Sequence, residues 1–112
     1  MKALFALLSA LVLTDTTITN TLPAHSQRVE QVAINEGRTA IEVFTLGDTE
    51  DLTCTYRDAY VGTVGLVQHH VKHCYGITSK LELPAMVAIQ IENNEGHTIH
   101  YTVKAATILP LK

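Results

Sequence analysis

The alternation of apolar and polar residues is the feature of this chain that most restricts its fold. From residue 29 onward the apolar period is mostly two rather than 3.6, as in segments 39–46, 52–56 and 99–103. β-branched residues are plentiful in these segments, as expected where side chains pack on a half-buried pleated surface. The pattern therefore predicts an all-β fold, a small single-domain antiparallel sandwich or barrel.

Turn-forming residues separate the alternating segments. Asn35-Glu36-Gly37 lies between two of them, and Asn93-Asn94-Glu95-Gly96 lies between segments 86–92 and 98–105. Asn and Gly accept the backbone angles of tight turns more readily than other residues. The second turn therefore predicts a β-hairpin formed by the two segments that flank it.

Residues 59–74 support two interpretations. Their apolar residues recur at helical spacing, which predicts one short helix around residues 66–74. In an extended chain, the same segment would place alternate residues on one face, His69 and His73 among them. Gly62 and Gly65 disfavour a helix that begins earlier. Both a helix and a strand are consistent with the pattern.

The N-terminus has the order of a secretory signal peptide. Lys2 precedes an apolar run over residues 3–13, which is shorter than the roughly 20 residues that span a bilayer. Ala24-His25-Ser26 then places small residues at a peptidase site. We expect a signal peptide helix at residues 1–26 and a mature domain at 27–112 without a stable membrane anchor. A cut after Thr16, and burial of the apolar run inside the domain, are the alternatives.

The two cysteines fit a secreted or periplasmic location. In an oxidising compartment an even pair is expected to be crosslinked, which predicts a disulfide between Cys54 and Cys74. A domain of about 86 residues buries only a modest share of its surface and is marginally stable alone. Closing a loop of about 21 residues would stabilise it by about 3 kcal/mol.

Composition and charge argue against several classes of function. With 46% hydrophobic and 17% charged residues, the chain is too apolar to be disordered. A formal net charge of -3 argues against nucleic acid as a partner, because phosphate binding needs a basic surface. No phosphate-binding glycine loop, metallohydrolase motif or nucleophile elbow occurs, and no residue pattern indicates a cofactor. These observations favour a non-catalytic protein over an enzyme.

Histidines form the cluster with the clearest chemical potential. His69, His70 and His73 would lie one turn apart in pairs on a helix, or in part on one face of a strand. Imidazole nitrogens are common ligands for Zn²⁺ and Cu²⁺, and His97 and His100 would add ligands if the fold brings them near. The alternative is an exposed polar segment whose histidines bond to backbone or water.

Two further groups carry weaker signals. The acidic turn at residues 48–51 offers oxygen ligands of the kind that Ca²⁺ prefers, although a charged turn between strands is the ordinary interpretation. Tyr56, Tyr60 and Tyr75 bracket the cysteines and would form an aromatic patch for a partner. Alternatively, these tyrosines cover the disulfide.

Taken together, these features predict a small exported non-catalytic β-domain that binds another protein. It would act as an accessory component of the periplasm or cell surface, through an exposed strand edge or a tyrosine-bearing face. A histidine-rich module for Zn²⁺ or Cu²⁺ and a small secreted hydrolase or inhibitor are the alternatives.

Overall fold

Eight β-strands make up most of the described structure. The computed structural model describes residues 12–34, 37–59, 62–78 and 85–108. A 3₁₀ turn at Leu46–Asp48 is the helical structure within these ranges, so the predicted all-β class is confirmed. No helix in the described part of the chain has the length and apolar character needed to cross a membrane. The strands are β1 (Val12–Leu22), β2 (Gln27–Ile34), β3 (Arg38–Thr45), β4 (Leu52–Asp58), β5 (Val64–Val71), β6 (His73–Ile77), β7 (Ala85–Asn93) and β8 (Ile99–Ile108).

The strands form two four-stranded antiparallel sheets that pack face to face. The first sheet has the order β1-β8-β3-β6, and the second has the order β2-β7-β4-β5. Consecutive strands lie in opposite sheets except β4 and β5, which pair directly. This is the strand order of a jelly roll, in which the chain winds around the core instead of forming hairpins. The predicted sandwich is therefore confirmed.

The hairpin predicted for segments 86–92 and 98–105 is wrong. β7 pairs with β2 and β4 in the second sheet, whereas β8 pairs with β1 and β3 in the first. The turn at residues 93–96 does reverse the chain, but it carries the chain across the core. Turn residues fix a local change of direction and leave the choice of sheet to the packing of the strands.

The short helix predicted around residues 66–74 is also wrong. β5 and β6 occupy this segment, and Lys72 alone separates them as the chain passes from the second sheet to the first. An extra residue in β5 opposes the stretch between Leu52 and Cys54 of β4, and His70 there has a positive φ of 52°. This bulge bends the strand. The helical spacing of apolar residues was coincidental, because β5 is exposed along most of its length.

Strand pairing includes residues that precede the predicted boundary at Gln27. β1 pairs with β8 from Val12 to Leu22, and the Leu22 side chain is 1% exposed in the core. Residues 12–22 are therefore an edge strand and not part of a helix, while residues 1–11 lie outside the described residues. Cleavage after Ser26 or after Thr16 would remove all or half of β1. Removal of a leader as such stays a prediction.

The core lies between the sheets, where alternate residues of each strand point inward. Along β3, Ile41 and Val43 are buried, while Glu42 and Phe44, which alternate with them, are partly exposed. Each fully buried aliphatic side chain stabilises the fold by about 1.5–3 kcal/mol. Tyr101 is also fully buried, and its hydroxyl donates a hydrogen bond to the Glu30 carboxylate at the sandwich margin.

The disulfide joins the two sheets. Cys54 of β4 and Cys74 of β6 are bonded, with their Cα atoms 6.4 Å apart and both residues fully buried. The predicted crosslink is therefore confirmed, and it is compatible with an exported protein. Because β4 belongs to the second sheet and β6 to the first, the bond holds the sheets together beside their edges.

Candidate functional site

The side of the sandwich formed by the edge strands β5 and β6, here called the β5/β6 side, is the most exposed apolar part of the described structure. β5 is the edge of the second sheet and β6 is the edge of the first. The neighbouring residues Leu66 and Val67 point to opposite faces of β5, yet they are 40% and 39% exposed. β5 therefore extends beyond the cover of the facing sheet.

Large exposed apolar side chains concentrate on this side. Among the described residues, seven large hydrophobic side chains are exposed, and five of them belong to β5 or β6. Ile77, at the end of β6, is 72% exposed, more than any of the others on these two strands. The five residues are Val64, Leu66, Val67, Tyr75 and Ile77. Clustered exposure of this kind is typical of binding surfaces, whereas single exposed apolar residues are ordinary.

Neither β5 nor β6 contains an Asp, Glu, Lys, Arg or Pro residue, although three histidines lie on them. The edge strands on the opposite side do carry charges, with Asp15 in β1 and both Arg28 and Glu30 in β2. Natural sheets usually place charges or proline on edges to prevent them from pairing with other chains. On the β5/β6 side the protective features are two bulges in β5, one at His70 and one between Val64 and Leu66, which leave residues 66–68 in regular register with β4.

A groove opens between the two sheets at one end of this side. Its volume is about 620 Å³, within the range of small-ligand and side-chain pockets. Leu66 of β5 and Ile77 of β6 contribute to its walls, and Arg57 and Asp58 supply polar groups. The rest of the wall is mostly apolar and includes Ile34, Ile41, Ala85, Met86 and Val87.

The opposite end of the β5/β6 side is closed. The Gln68 side chain of β5 accepts a hydrogen bond of 2.9 Å from the Tyr75 backbone N–H of β6. Cys74, the residue before Tyr75, is bonded to Cys54 of β4, so β6 is tied to the second sheet at this point. The groove therefore widens away from a fixed end, toward the beginning of β5 and the end of β6.

Gly76 permits β6 to lie directly on the core. A Cβ atom at this position would stand 2.9 Å from the Tyr56 ring, closer than carbon atoms approach. Tyr56 fills the space beneath β6 and is only 7% exposed. Burial raises the pKa of its hydroxyl above the usual range, with a smaller contribution from the Glu42 carboxylate.

The three tyrosines predicted as a partner-binding patch do not form one surface. Tyr56 is buried beneath Gly76, so this part of the prediction is wrong. Tyr60 lies outside the described residues. Tyr75 is 56% exposed, and its ring stacks on the His73 imidazole with the ring centres 4.1 Å apart. Of the two tyrosines of this set that the structure describes, Tyr75 is the one exposed on the β5/β6 side.

The predicted metal ligands His69, His70 and His73 are not brought together. The His70 imidazole lies 3.1 Å from an Asp51 carboxylate oxygen, and the two ring nitrogens of His73 contact Asp48 and Glu42, also at 3.1 Å. His69 is exposed on β5. No group of three metal-ligating side chains that includes any of these histidines occurs within the described residues. His100, proposed as an additional ligand, is exposed on β8 and is not part of such a group either.

The acidic turn does not gather its carboxylates for calcium. Its three acidic side chains point to three different histidines: Asp48 to His73, Glu50 to His97 and Asp51 to His70. The hydrogen bond with His70, supported by one from the Asn94 side chain, lowers the pKa of Asp51. The histidines and the acidic turn, each of which is a weak signal in the sequence, therefore contact one another in the fold. Their pairing depends on the fold and is invisible in the sequence.

Comparisons with known proteins identify the fold. No protein-family model matches the chain, and no similar sequence was found among curated proteins. The Yersinia pseudotuberculosis-derived mitogen has 17% identity and a TM-score of 0.57, covering 88% of this chain and 89% of that one. The pre-peptidase C-terminal domain of collagenase from Bacillus anthracis has 14% identity and a TM-score of 0.59, covering 81% and 88% respectively.

A third similar structure is PliG of Aeromonas hydrophila, a periplasmic lysozyme inhibitor of g-type lysozyme. It is 7% identical, with a TM-score of 0.56, and the match covers 82% of this chain and 84% of that one. At such identities the likeness establishes the architecture and not the activity. The chain is therefore similar to these proteins in being a small β-sandwich, here with one disulfide.

Proposed function

We propose that this protein is an exported, non-catalytic β-domain that binds another protein at the β5/β6 side. The proposal rests on one observation: the two edge strands that lack Asp, Glu, Lys and Arg also carry most of the exposed large apolar side chains of the described residues and border the apolar groove. The Cys54–Cys74 disulfide and the signal-like N-terminus support a periplasmic or secreted location.

The partner would supply an extended segment that adds to the free edge of β5. Main-chain hydrogen bonds to the edge give such complexes affinity, and pockets for alternate side chains give them specificity. A strand along residues 64–68 would direct every second side chain toward the groove between Leu66 and Ile77. Each aliphatic side chain buried there would contribute about 1.5–3 kcal/mol before the entropy of ordering is subtracted.

A different protein fits this side better than a second copy of the chain. The bulges at His70 and between Val64 and Leu66 leave residues 66–68 as the regular part of β5, which is short for a symmetric pairing of two β5 strands. Such a pairing would also leave the groove unfilled. A partner with its own apolar side chains gains the contacts of both the edge and the groove. The existence of a protein inhibitor with the same architecture, PliG, supports protein recognition by this fold.

Selection from a random peptide library tests the proposal without knowledge of the natural partner. The oxidised full-length protein serves as bait, and the enriched peptides are measured individually. We expect peptides with alternating apolar residues that bind Ile77→Asp at least tenfold more weakly than wild type, because the charge cannot be desolvated in the groove. Ile77 is 72% exposed, so this substitution leaves the core intact.

Val29→Asp is the matched control. Val29 is a 53% exposed apolar residue on the opposite edge strand, β2, and the peptides should bind this variant as they bind wild type. Peptides that lose binding to Val29→Asp but not to Ile77→Asp, or a selection without enrichment, would refute the proposal. Sedimentation of the wild type provides a second outcome: a dimer that Ile77→Asp dissociates would assign this side to a second copy instead.

A further inference from the structure

Two turns place three metal-ligating side chains together at one end of the sandwich. Glu50 precedes β4, while Glu95 and His97 belong to the turn between β7 and β8. One ligand atom from each lies within 4.8 Å of the others, and the His97 Nε2 atom is 3.1 Å from a Glu50 carboxylate oxygen. Within the described ranges this is the one group of three or more histidine, cysteine or acidic side chains at such distances.

The buried Asn93 side chain fixes the backbone of the turn that carries two of these groups. Its amide nitrogen donates to the backbone oxygens of Leu22, Pro23 and His97, at 3.1, 3.0 and 2.9 Å. Its amide oxygen accepts from the Glu95 backbone N–H at 2.8 Å. Asn93 is 1% exposed, so these bonds are shielded from water. The turn is therefore held in place independently of any ion.

The same turn is also bonded to the segment that carries Glu50. A Glu95 carboxylate oxygen, Oε2, accepts from the Asp51 backbone N–H at 2.7 Å, and the Asp51 backbone oxygen accepts from the Asn94 N–H at 3.1 Å. These bonds join the residue after Glu50 to the β7–β8 turn. All three candidate ligands thus lie on backbone that is ordered before an ion arrives, which lowers the entropic cost of binding it.

The chemistry of the group favours zinc over the harder cations. Histidine nitrogen and carboxylate oxygen bind Zn²⁺ at about 2.0–2.2 Å, which puts neighbouring tetrahedral ligands about 3.3 Å apart. The His97–Glu50 separation of 3.1 Å is close to this value, and Glu95 is close enough for a rotamer adjustment to complete the set. Ca²⁺ and Mg²⁺ prefer all-oxygen sites, so the imidazole argues against them. Two carboxylates and a neutral imidazole also supply a charge of the right sign for a divalent ion.

We propose that Glu50, Glu95 and His97 bind Zn²⁺, with water as the fourth ligand. This site is separate from the β5/β6 side and from His69, His70 and His73. An ion there would connect the acidic turn, which leads into β4, directly to the turn between β7 and β8. It therefore has a structural role, and bound zinc should raise the melting temperature.

Isothermal titration of the oxidised full-length protein with zinc chloride, in a non-chelating buffer at neutral pH, tests the site. We expect one ion per chain with a micromolar dissociation constant. His97→Ala and Glu50→Gln should each weaken binding by at least tenfold, since each removes or neutralises one of only three protein ligands. His97 and Glu50 both lie outside the core, and circular dichroism verifies that the variants fold.

His69→Ala is the control, because His69 is an exposed histidine on β5 that belongs to no ligand group. It should bind zinc as the wild type does. X-ray absorption of the zinc complex should show nitrogen and oxygen ligands with a single imidazole. Absence of heat at micromolar zinc, equal binding by His97→Ala, or loss of binding in His69→Ala would each overturn the assignment.

Discussion

Removal of the disulfide should have a large and calculable effect on stability. Cys54 and Cys74 are separated by 20 residues, and both are fully buried between the sheets. Two perturbations apply: reduction of the wild type, which keeps both sulfur atoms, and the double variant C54A/C74A, which removes them. The first isolates the effect of the crosslink, and the second adds the loss of buried packing.

The expected magnitude follows from the length of the closed loop. Opening a loop of 20 residues returns about 11 cal/mol/K of entropy to the unfolded chain, or about 3 kcal/mol at room temperature. Against a typical total stability of about 5–15 kcal/mol, this is a substantial fraction. The alanine pair should lose about 1–2 kcal/mol more, because the surrounding side chains only partly fill the space left by the sulfur atoms.

Urea unfolding followed by circular dichroism measures the effect. Reduction should lower the midpoint by about 1–3 M urea, given a slope of about 1–3 kcal/mol/M. The melting temperature should fall by about 12–24 °C. A thiol assay of the untreated protein in denaturant is the control and should find no free thiol. Equal midpoints for the oxidised and reduced proteins would refute the reasoning, because the crosslink would then not reduce the conformational entropy of the unfolded chain.

Three other predictions follow from particular contacts. Gly76→Ala should destabilise the fold by about 1–3 kcal/mol through collision with the Tyr56 ring; Gly65→Ala, whose Cβ meets its nearest atom at 3.7 Å, is the control in urea unfolding. A chain that starts at residue 27 lacks β1 and should unfold at markedly lower urea than one that starts at residue 12; equal midpoints would show that β1 is dispensable. Stability should fall as pH rises above about 10. Burial raises the folded-state pKa of Tyr56 and Tyr101, so the unfolded state loses its protons first; alkaline melting curves identical to those at pH 8 would contradict this.

The strands that could be predicted are those in which one face is buried. In β3 and β8 inward-facing and outward-facing residues alternate, and the residue types alternate with them. The disulfide was also predictable, because only two cysteines exist and they had one way to pair. Strand pairing was not, since the same alternation suits a strand beside any neighbour. The β7–β8 hairpin failed for this reason.

β1 was not predicted as a strand, and the segment of β5 stayed open between a helix and a strand, because their sequences lack the usual signals. In β1, five of the eleven residues are threonines, and pairing with β8, far away in the sequence, holds the strand in place. β5 is exposed on both faces, so burial imposes no alternation on it. Exposed apolar residues on such an edge are what makes β5 a candidate binding strand. The departure from the pattern thus coincides with the proposed function.

The candidate metal site could not be predicted because its ligands come from two separate turns. Glu50 and His97 are far apart in the sequence, and they meet because the acidic turn and the β7–β8 turn lie at the same end of the sandwich. From the sequence, the acidic turn was a candidate for calcium and His97 an additional candidate ligand for zinc or copper, but nothing connected the two. The group of side chains depends on the jelly-roll winding, which local patterns do not specify.

Hydrogen exchange of the protein bound to a selected peptide tests the assignment of the β5/β6 side most directly. An added strand would hydrogen-bond the outward-facing amides of β5, so exchange at residues 64–68 should slow on binding. Amides of β2, the edge on the opposite side of the same sheet, should exchange at unchanged rates. Slowed exchange in β2 with unchanged exchange in β5 would contradict the proposed binding side.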